Sequence, residues 1–128
     1  MRFIEIPKAH FDVEVQDSIP ETHYRMLDPY RQRYFKWGHV YLALFFNSEN
    51  SLVVEYAINT GKKAAGDWVS AIIAVAKENK NKSILFQTAA NNKAVHDIAA
   101  RIGAKKIKEV QDYHGSGESY TFYEFIII

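Results

Sequence analysis

One stretch limits the folds open to this chain more than any other: Val53 to Ala104, VVEYAINTGKKAAGDWVSAIIAVAKENKNKSILFQTAANNKAVHDIAARIGA. It reads as strand, glycine- and lysine-bearing turn, amphipathic helix, strand, second helix, then Gly103-Ala104. In the first helix, roughly Lys63 to Asn79, Trp68, Val69, Ile72, Ile73 and Ala76 fall on one stripe at helical spacing. Asn79 to Lys82 is a polar stop, and Ser83–Thr88 is a short buried strand. The second helix starts near Asn91-Asn92, natural capping residues, and buries Val95, Ile98, Ala99 and Ile102. Gly103 ends it in the left-handed conformation. This order brings backbone amides and the positive end of a helix to one turn, where a pyrophosphate could sit.

The flanks complete a sheet. Arg2 to Ile6 reads as a short strand that ends at Pro7. Residues 8–19 support two readings: Phe11, Val13 and Val15 alternate with acids at a strand period, yet the segment also suits a helix. Pro20 to Trp37 is expected to be helical in two pieces, with Asp28-Pro29 as N-cap and first helical residue of the second. Val40–Phe46 and Leu52–Ile58 are strands joined by the polar turn Asn47-Ser48-Glu49-Asn50, and so form a hairpin. Two closing strands, Lys105–Tyr113 and Tyr120–Ile128, are joined by the flexible loop His114 to Ser119. The fold class is therefore α/β, one domain over residues 1–128 with a mixed, mostly antiparallel sheet flanked by helices.

Composition narrows the chemistry. A chain of 128 residues with 48% hydrophobic and 24% charged residues has the values of one globular domain with a real core. The net charge of +1 gives no general attraction to nucleic acid or to a membrane. With no cysteine, disulfides, thiolate chemistry and cysteine-based zinc sites are excluded. The five histidines, His10, His23, His39, His96 and His114, lack metal-ligand spacing, so no metal site is expected. Arg2-Phe3-Ile4-Glu5-Ile6 breaks up any signal-like apolar run, and no segment approaches the length of a spanning helix. A cytoplasmic setting is the expectation.

The strand-turn-helix-strand-helix order resembles the cofactor-binding half of the GCN5-related N-acetyltransferase (GNAT) family. That family carries Arg/Gln-x-x-Gly-x-Gly/Ala between its fourth strand and third helix, a loop whose amides bind the pyrophosphate of coenzyme A. Helix-on-helix alignment puts Thr60, Lys63 and Ala65 at the signature positions, of which only Ala65 conforms. Gly61, Gly66 and the lysines Lys62 and Lys63 lie in the same turn. Asn92 followed by Gly103-Ala104 matches the family's Asn…Gly-Phe spacing, while the tyrosine often used as general acid falls at Ala99. In this alignment the chain has one strand fewer before the loop than the family. The resemblance covers residues 50–128 well and the first fifty loosely. The Ile102-Gly103-Ala104 ending and the absent tyrosine look most like small GNAT-like proteins of tailed bacteriophages, which would place the chain in a host cytoplasm or a virion.

What the resemblance implies is acetyl transfer from acetyl-CoA, as co-substrate, to an amine of a protein or small molecule. Glu55, on the strand just before the loop, is the implied general base, although an ordinary solvent-facing strand residue would look the same. Amides near Ala57 and Ile58 would polarise the thioester carbonyl, and Thr60, Gly61, Lys62, Lys63, Ala65, Gly66 and Asn92 would hold the cofactor. The segment 25–37 interleaves Arg25, Arg31, Arg33 and Lys36 with Tyr30, Tyr34, Phe35 and Trp37. Such a pattern suits single-stranded nucleic acid, an amphipathic helix packed on a sheet, or the rim of an acceptor cleft. The charge of +1 favours a protein contact through Arg31, Arg33 and Trp37 over nucleic acid. Phe125-Ile126-Ile127-Ile128 must be covered by the sheet or by a subunit interface, which leaves a homodimer open. Gly115-Ser116-Gly117-Glu118-Ser119 lacks a nucleophile's strand-to-helix elbow and reads as a hairpin tip. Three functions stay open: an N-acetyltransferase, a catalytically degenerate protein of the same fold acting through a protein partner, and a nucleic-acid binder.

Overall fold

Val40 to Phe46 places apolar side chains at every position, so this strand can lie only between two covered faces. The computed structural model, which describes residues 3–15, 31–61, 67–113, 115 and 117–127, makes it an interior strand of a layered sheet. The strands are β1 (Ile4–Ile6), β2 (Arg33–Trp37), β3 (Val40–Phe46), β4 (Ser51–Asn59), β5 (Ser83–Ala89), β6 (Lys105–Val110) and β7 (Tyr120–Ile126). The helices among the described residues are α1 (Lys8–Val15), α2 (Asp67–Glu78) and α3 (Lys93–Ile102). Among the described residues the sheet has 7 strands in the order β1-β2-β3-β4-β5-β7-β6, and only the β4–β5 pairing is parallel.

Each face carries its own core. On one, Leu42, Leu44, Leu52 and Val54 meet Ala71, Ile72, Val75 and Ala76 of α2 and Ala99 of α3. On the other, Phe11 and Val15 of α1 pack against Tyr34, Tyr41 and Ala43. The described part of the ambiguous segment, Lys8–Val15, is thus helical, while residues 16–19 lie outside the described residues. Phe11 and Val15, four apart, share its buried face, while Val13, which a strand would have placed beside them, is 70% exposed.

Arg33–Trp37 is a strand, not part of a helix. Its residues alternate between the two cores: Tyr34 joins the α1 side, and Phe35 and Trp37 pack on the α2 side. Burial on both faces erases the polar alternation by which a strand is read. This element supplies the strand that the alignment lacked before the loop. The expected helix start at Asp28-Pro29 lies outside the described residues.

The remaining elements follow the expected order. Asn47 Oδ1 closes the β3–β4 turn by accepting from the amides of Glu49 and Ser51. Gly103 ends α3 at φ 79°, its amide returned to the carbonyls of Ala99 and Ala100. Asn92 precedes α3 but makes no side-chain capping bond. His96 of α3 bridges two strands: Nε2–H donates to the Ala89 carbonyl at 3.1 Å, and in the neutral ring Nδ1 accepts from Tyr123 Oη at 2.6 Å. Near the end of the described residues, Phe125 and Ile127 pack on the core, whereas Ile126 is 56% exposed.

Where β4 first meets β5, the hydroxyls of Ser51 and Ser83 lie 2.6 Å apart and are fully buried. Replacing Ser83 alone with Ala strands the Ser51 hydroxyl and should cost about 1–3 kcal/mol in urea unfolding. The double replacement Ser51→Ala, Ser83→Ala should recover part of that loss. A double mutant as unstable as the sum of the singles would mean the two hydroxyls do not interact.

Candidate active site

The parallel ladder between β4 and β5 ends at Val53 and Leu85, although β4 runs on to Asn59 and β5 to Ala89. A cleft of about 250 Å³ fills the gap between the two strands. Its floor is Val54–Ala57 and Phe86–Ala89, and its walls are Trp68 of α2, Asn92 and Val95 at the start of α3, and Tyr120 of β7. Backbone groups on the parted edges no longer have ladder partners. They form an extended edge on which an amide-bearing chain can be paired, and Trp68, Phe86 and Val95 give it apolar walls.

Glu55 occupies an irregularity in this edge. Ala43 is opposite Tyr56 and Leu44 opposite Val54, so Glu55 is the extra residue of a β-bulge. The extra residue reverses the facing of everything after it. Leu52 and Val54 point to the α2 core, but Tyr56 and Ile58 point to the α1 core and Ala57 takes over the α2 side. The freed carbonyl of Glu55 accepts from Gln87 Nε2 at 3.3 Å, a tie across the parted strands.

The Glu55 carboxylate is recessed, its side chain 19% exposed, and the Arg31 guanidinium stands 3.8 Å away. Burial raises its pKa above the usual carboxylate range; Arg31, and to a smaller degree Gln32, pull the other way. Tyrosines gather around it. Burial raises the pKa of Tyr56, helped by nearby Tyr120, Glu55 and Tyr113, and burial likewise raises that of Tyr113 and Tyr120. All three phenols therefore stay protonated at neutral pH. The Tyr113 ring is 5.6 Å from that of Tyr120 and 5.1 Å from that of Phe122. A base of raised pKa at the foot of a half-apolar cleft is suited to taking a proton from a nitrogen nucleophile.

The expected site residues are only partly brought together. Glu55, Ala57 and Asn92 line the cleft. The Ile58 side chain packs toward α1 instead. Thr60 turns to His39, whose carbonyl accepts from both its amide, at 2.8 Å, and its hydroxyl, at 3.0 Å. Gly61 lies against the same histidine: a Cβ there would stand 2.8 Å from His39 Cγ. Close packing on His39 leaves no room for a side chain at this glycine. Lys62, Lys63, Ala65 and Gly66 lie outside the described residues.

The cationic-aromatic segment is divided. Arg31 lies over the Phe45 ring, 3.9 Å from its centre, on the side of Glu55. Arg33 makes a two-pronged pair with Glu5, at 2.8 and 2.9 Å, and lies 5.1 Å from the ring centre of Phe46. Phe45 and Phe46 are consecutive strand residues on opposite faces, so the two arginines do not share one surface. Trp37 packs partly buried on the α2 core. Gln87, Tyr113 and Tyr120 went unread in the sequence; Tyr113 and Tyr120 flank the loop taken for a plain hairpin tip, which was their only signal.

No family model matches the sequence, and no curated protein matches it significantly. Solved structures do match. A GNAT family acetyltransferase from Elizabethkingia anophelis with acetyl-CoA bound aligns over 98% of this chain and 97% of its own, with TM-score 0.72 and 10% identity. The ribosomal-protein-S18-alanine N-acetyltransferase of Escherichia coli aligns over 98% and 93%, with TM-score 0.72 and 8% identity. NAA60 of Arabidopsis thaliana in complex with acetyl-CoA aligns over 98% and 99%, with TM-score 0.69 and 9% identity. The fold is the GNAT acyl-CoA N-acyltransferase fold. Among the described residues, no cluster of His, Asp and Glu could hold a metal, and no helix is long and apolar enough to cross a membrane.

Gly61→Ala should lower stability by roughly 1–3 kcal/mol, because His39 must move to admit the methyl group. A melting temperature unchanged by this substitution would show that the turn has room to spare.

Proposed function

We propose that this chain is an acyl-CoA-dependent N-acetyltransferase that takes acetyl-CoA as co-substrate and an amine as acceptor. The observation that carries the reading is the parting of β4 from β5 after Val53, with a recessed carboxylate at the bulge beside the opening. The residues fit such a donor: a strand edge for amide pairing, apolar walls at Trp68, Phe86 and Val95, and the side chain of Asn92, which is not used in capping α3. Lys62 and Lys63 precede α2 in sequence and are proposed to meet the phosphates. The bound thioester would supply the acetyl group.

In this reading Glu55 takes a proton from the acceptor ammonium, freeing the nitrogen lone pair. The nitrogen then attacks the thioester carbonyl carbon. A C–N bond forms, the C–S bond breaks, and the thiolate departs with the sulfur's electron pair. The second nitrogen proton is released, and the thiolate is neutralised by one proton. Held close and aligned, these groups need little further help. The commitment of Thr60 and Gly61 to His39 favours a second reading, a non-catalytic protein of this fold that works by binding a protein partner.

Calorimetry separates the two. Acetyl-CoA should bind, and Lys62→Glu with Lys63→Glu should weaken binding by about 1–2 kcal/mol. Absence of binding at about 1 mM acetyl-CoA, a Kd range worth only some 4 kcal/mol, would remove the enzyme reading.

Glu55→Gln should lower kcat by roughly 10²–10⁴-fold while leaving the fold intact. The working form is the carboxylate, so kcat/KM should rise with pH through a limb displaced above the usual carboxylate range, and that limb should vanish in Glu55→Gln. Retention of the limb in the mutant would place the base elsewhere.

A further inference from the structure

We infer that Tyr120 is the proton donor to the departing sulfur: its phenol meets the cleft from β7 and gives its proton to the thiolate that acetyl transfer sets free. The inference rests on the acetyl-transfer reading and assigns the proton that Glu55 does not carry. A thiolate leaving a thioester bears a full negative charge, and in a half-apolar cleft it needs a donor close by. The described side chains that line the cleft and carry an ionisable group are Glu55, Tyr56 and Tyr120. Glu55 acts as the base, and Tyr56 packs into the α1 core beyond the bulge. Tyr123, the next phenol along β7, is bonded to His96 instead. Tyr120 is left.

Its place is well fixed. Tyr120 pairs with Ala89, the last residue of β5, and the carbonyl of Ser119 just before it accepts from the Ala90 amide at 2.8 Å. The Tyr113 ring, 5.6 Å away, backs its own. Tyr56 is within electrostatic reach of Glu55, Tyr113 and Tyr120 alike, so the phenol groups gather on the same side of the cleft as the base. Burial, helped by Glu118 and Tyr113, raises the Tyr120 pKa, and the phenol keeps its proton through the range in which a thiol ionises. A phenol donates to the most strongly accepting group in reach. A contact made in the resting protein therefore does not stop it from turning to a newly formed anion.

The protons balance. Tyr120 gives its O–H proton to the sulfur, which becomes a free thiol, and is left as a phenolate. The nitrogen of the new amide still carries one proton too many, and the phenolate takes it, restoring the phenol. Glu55 returns to solvent the proton it took from the ammonium. One proton leaves the site for each acetyl group transferred.

The test needs no acceptor. Calorimetry on the full chain compares coenzyme A with desulfo-coenzyme A, which has hydrogen in place of the thiol. A phenol donating to the sulfur lowers the pKa of the bound thiol, so affinity should rise as pH rises through it. Coenzyme A should gain about tenfold over its desulfo analogue between about pH 7 and about pH 9.5, the equivalent of about one pKa unit. Phosphate contacts are common to both ligands and cancel in the ratio. In Tyr120→Phe, which keeps the ring, the gain should fall to within about threefold; Tyr120→Met serves if that variant misfolds. An affinity ratio in the native protein that does not change with pH overturns the inference whatever the variants do. A rise that survives loss of the hydroxyl overturns it too, by placing the donor elsewhere, and either result leaves the transferase reading standing. If neither ligand binds, the transferase reading falls and the inference with it.

Discussion

A strand that leaves its neighbour exposes a row of amides and carbonyls that must find other partners, and β4 does so immediately after Val53. Most of the architecture serves to make that departure stable. The buried Ser51–Ser83 contact fastens the two strands where they first meet, two residues before they separate. Beyond it, β4 stays paired with β3 as far as Asn59, with one shift of register at the Glu55 bulge, so it keeps one ladder while it surrenders the other. On the far side, β5 is held by β7 along its whole length. The opening is therefore a gap between two well-anchored halves, crossed by the Gln87 side chain.

The extra residue at Glu55 extends that logic from backbone to side chains. Without it, Tyr56 would face α2 and Ala57 would face α1, and the two cores would each receive the wrong volume. With it, a small residue lines the cleft and a tyrosine fills the α1 side. The same kink turns a carboxylate toward Arg31. One inserted residue thus decides which side chains line the cleft, where the Glu55 carboxylate stands and how both layers pack.

Much of this was readable in the chain, for physical reasons that differ by element. The β3–β4 hairpin was plain because Asn47 and Asn50 carry turn chemistry between two apolar runs, and α3 because Gly103 marks its end. The strand Arg33–Trp37 was hidden: burial of Tyr34 on one face and Phe35 on the other leaves no period to read. Glu55 was singled out by family resemblance, but its bulge is a matter of pairing with β3, which no local pattern encodes. Gln87 and Tyr120 looked like ordinary strand residues, since their role comes from strands far apart in sequence. Arg31 and Arg33, two residues apart, looked like one surface and occupy two.

The imidazole of His96 has a consequence for the far end of β5. It is the one described side chain linking α3 to both Ala89 and Tyr123, so the last residue lining the cleft on β5 is braced through a ring that can change charge. Neutral, the ring donates to the carbonyl and accepts from the phenol. Cationic, it donates at both nitrogens, and the phenol, which can donate or accept, turns its hydroxyl to receive. The brace outlasts the change of charge because its second partner is amphoteric. The far edge of the cleft is thus tied to α3 by two bonds that the ring can make in either charge state.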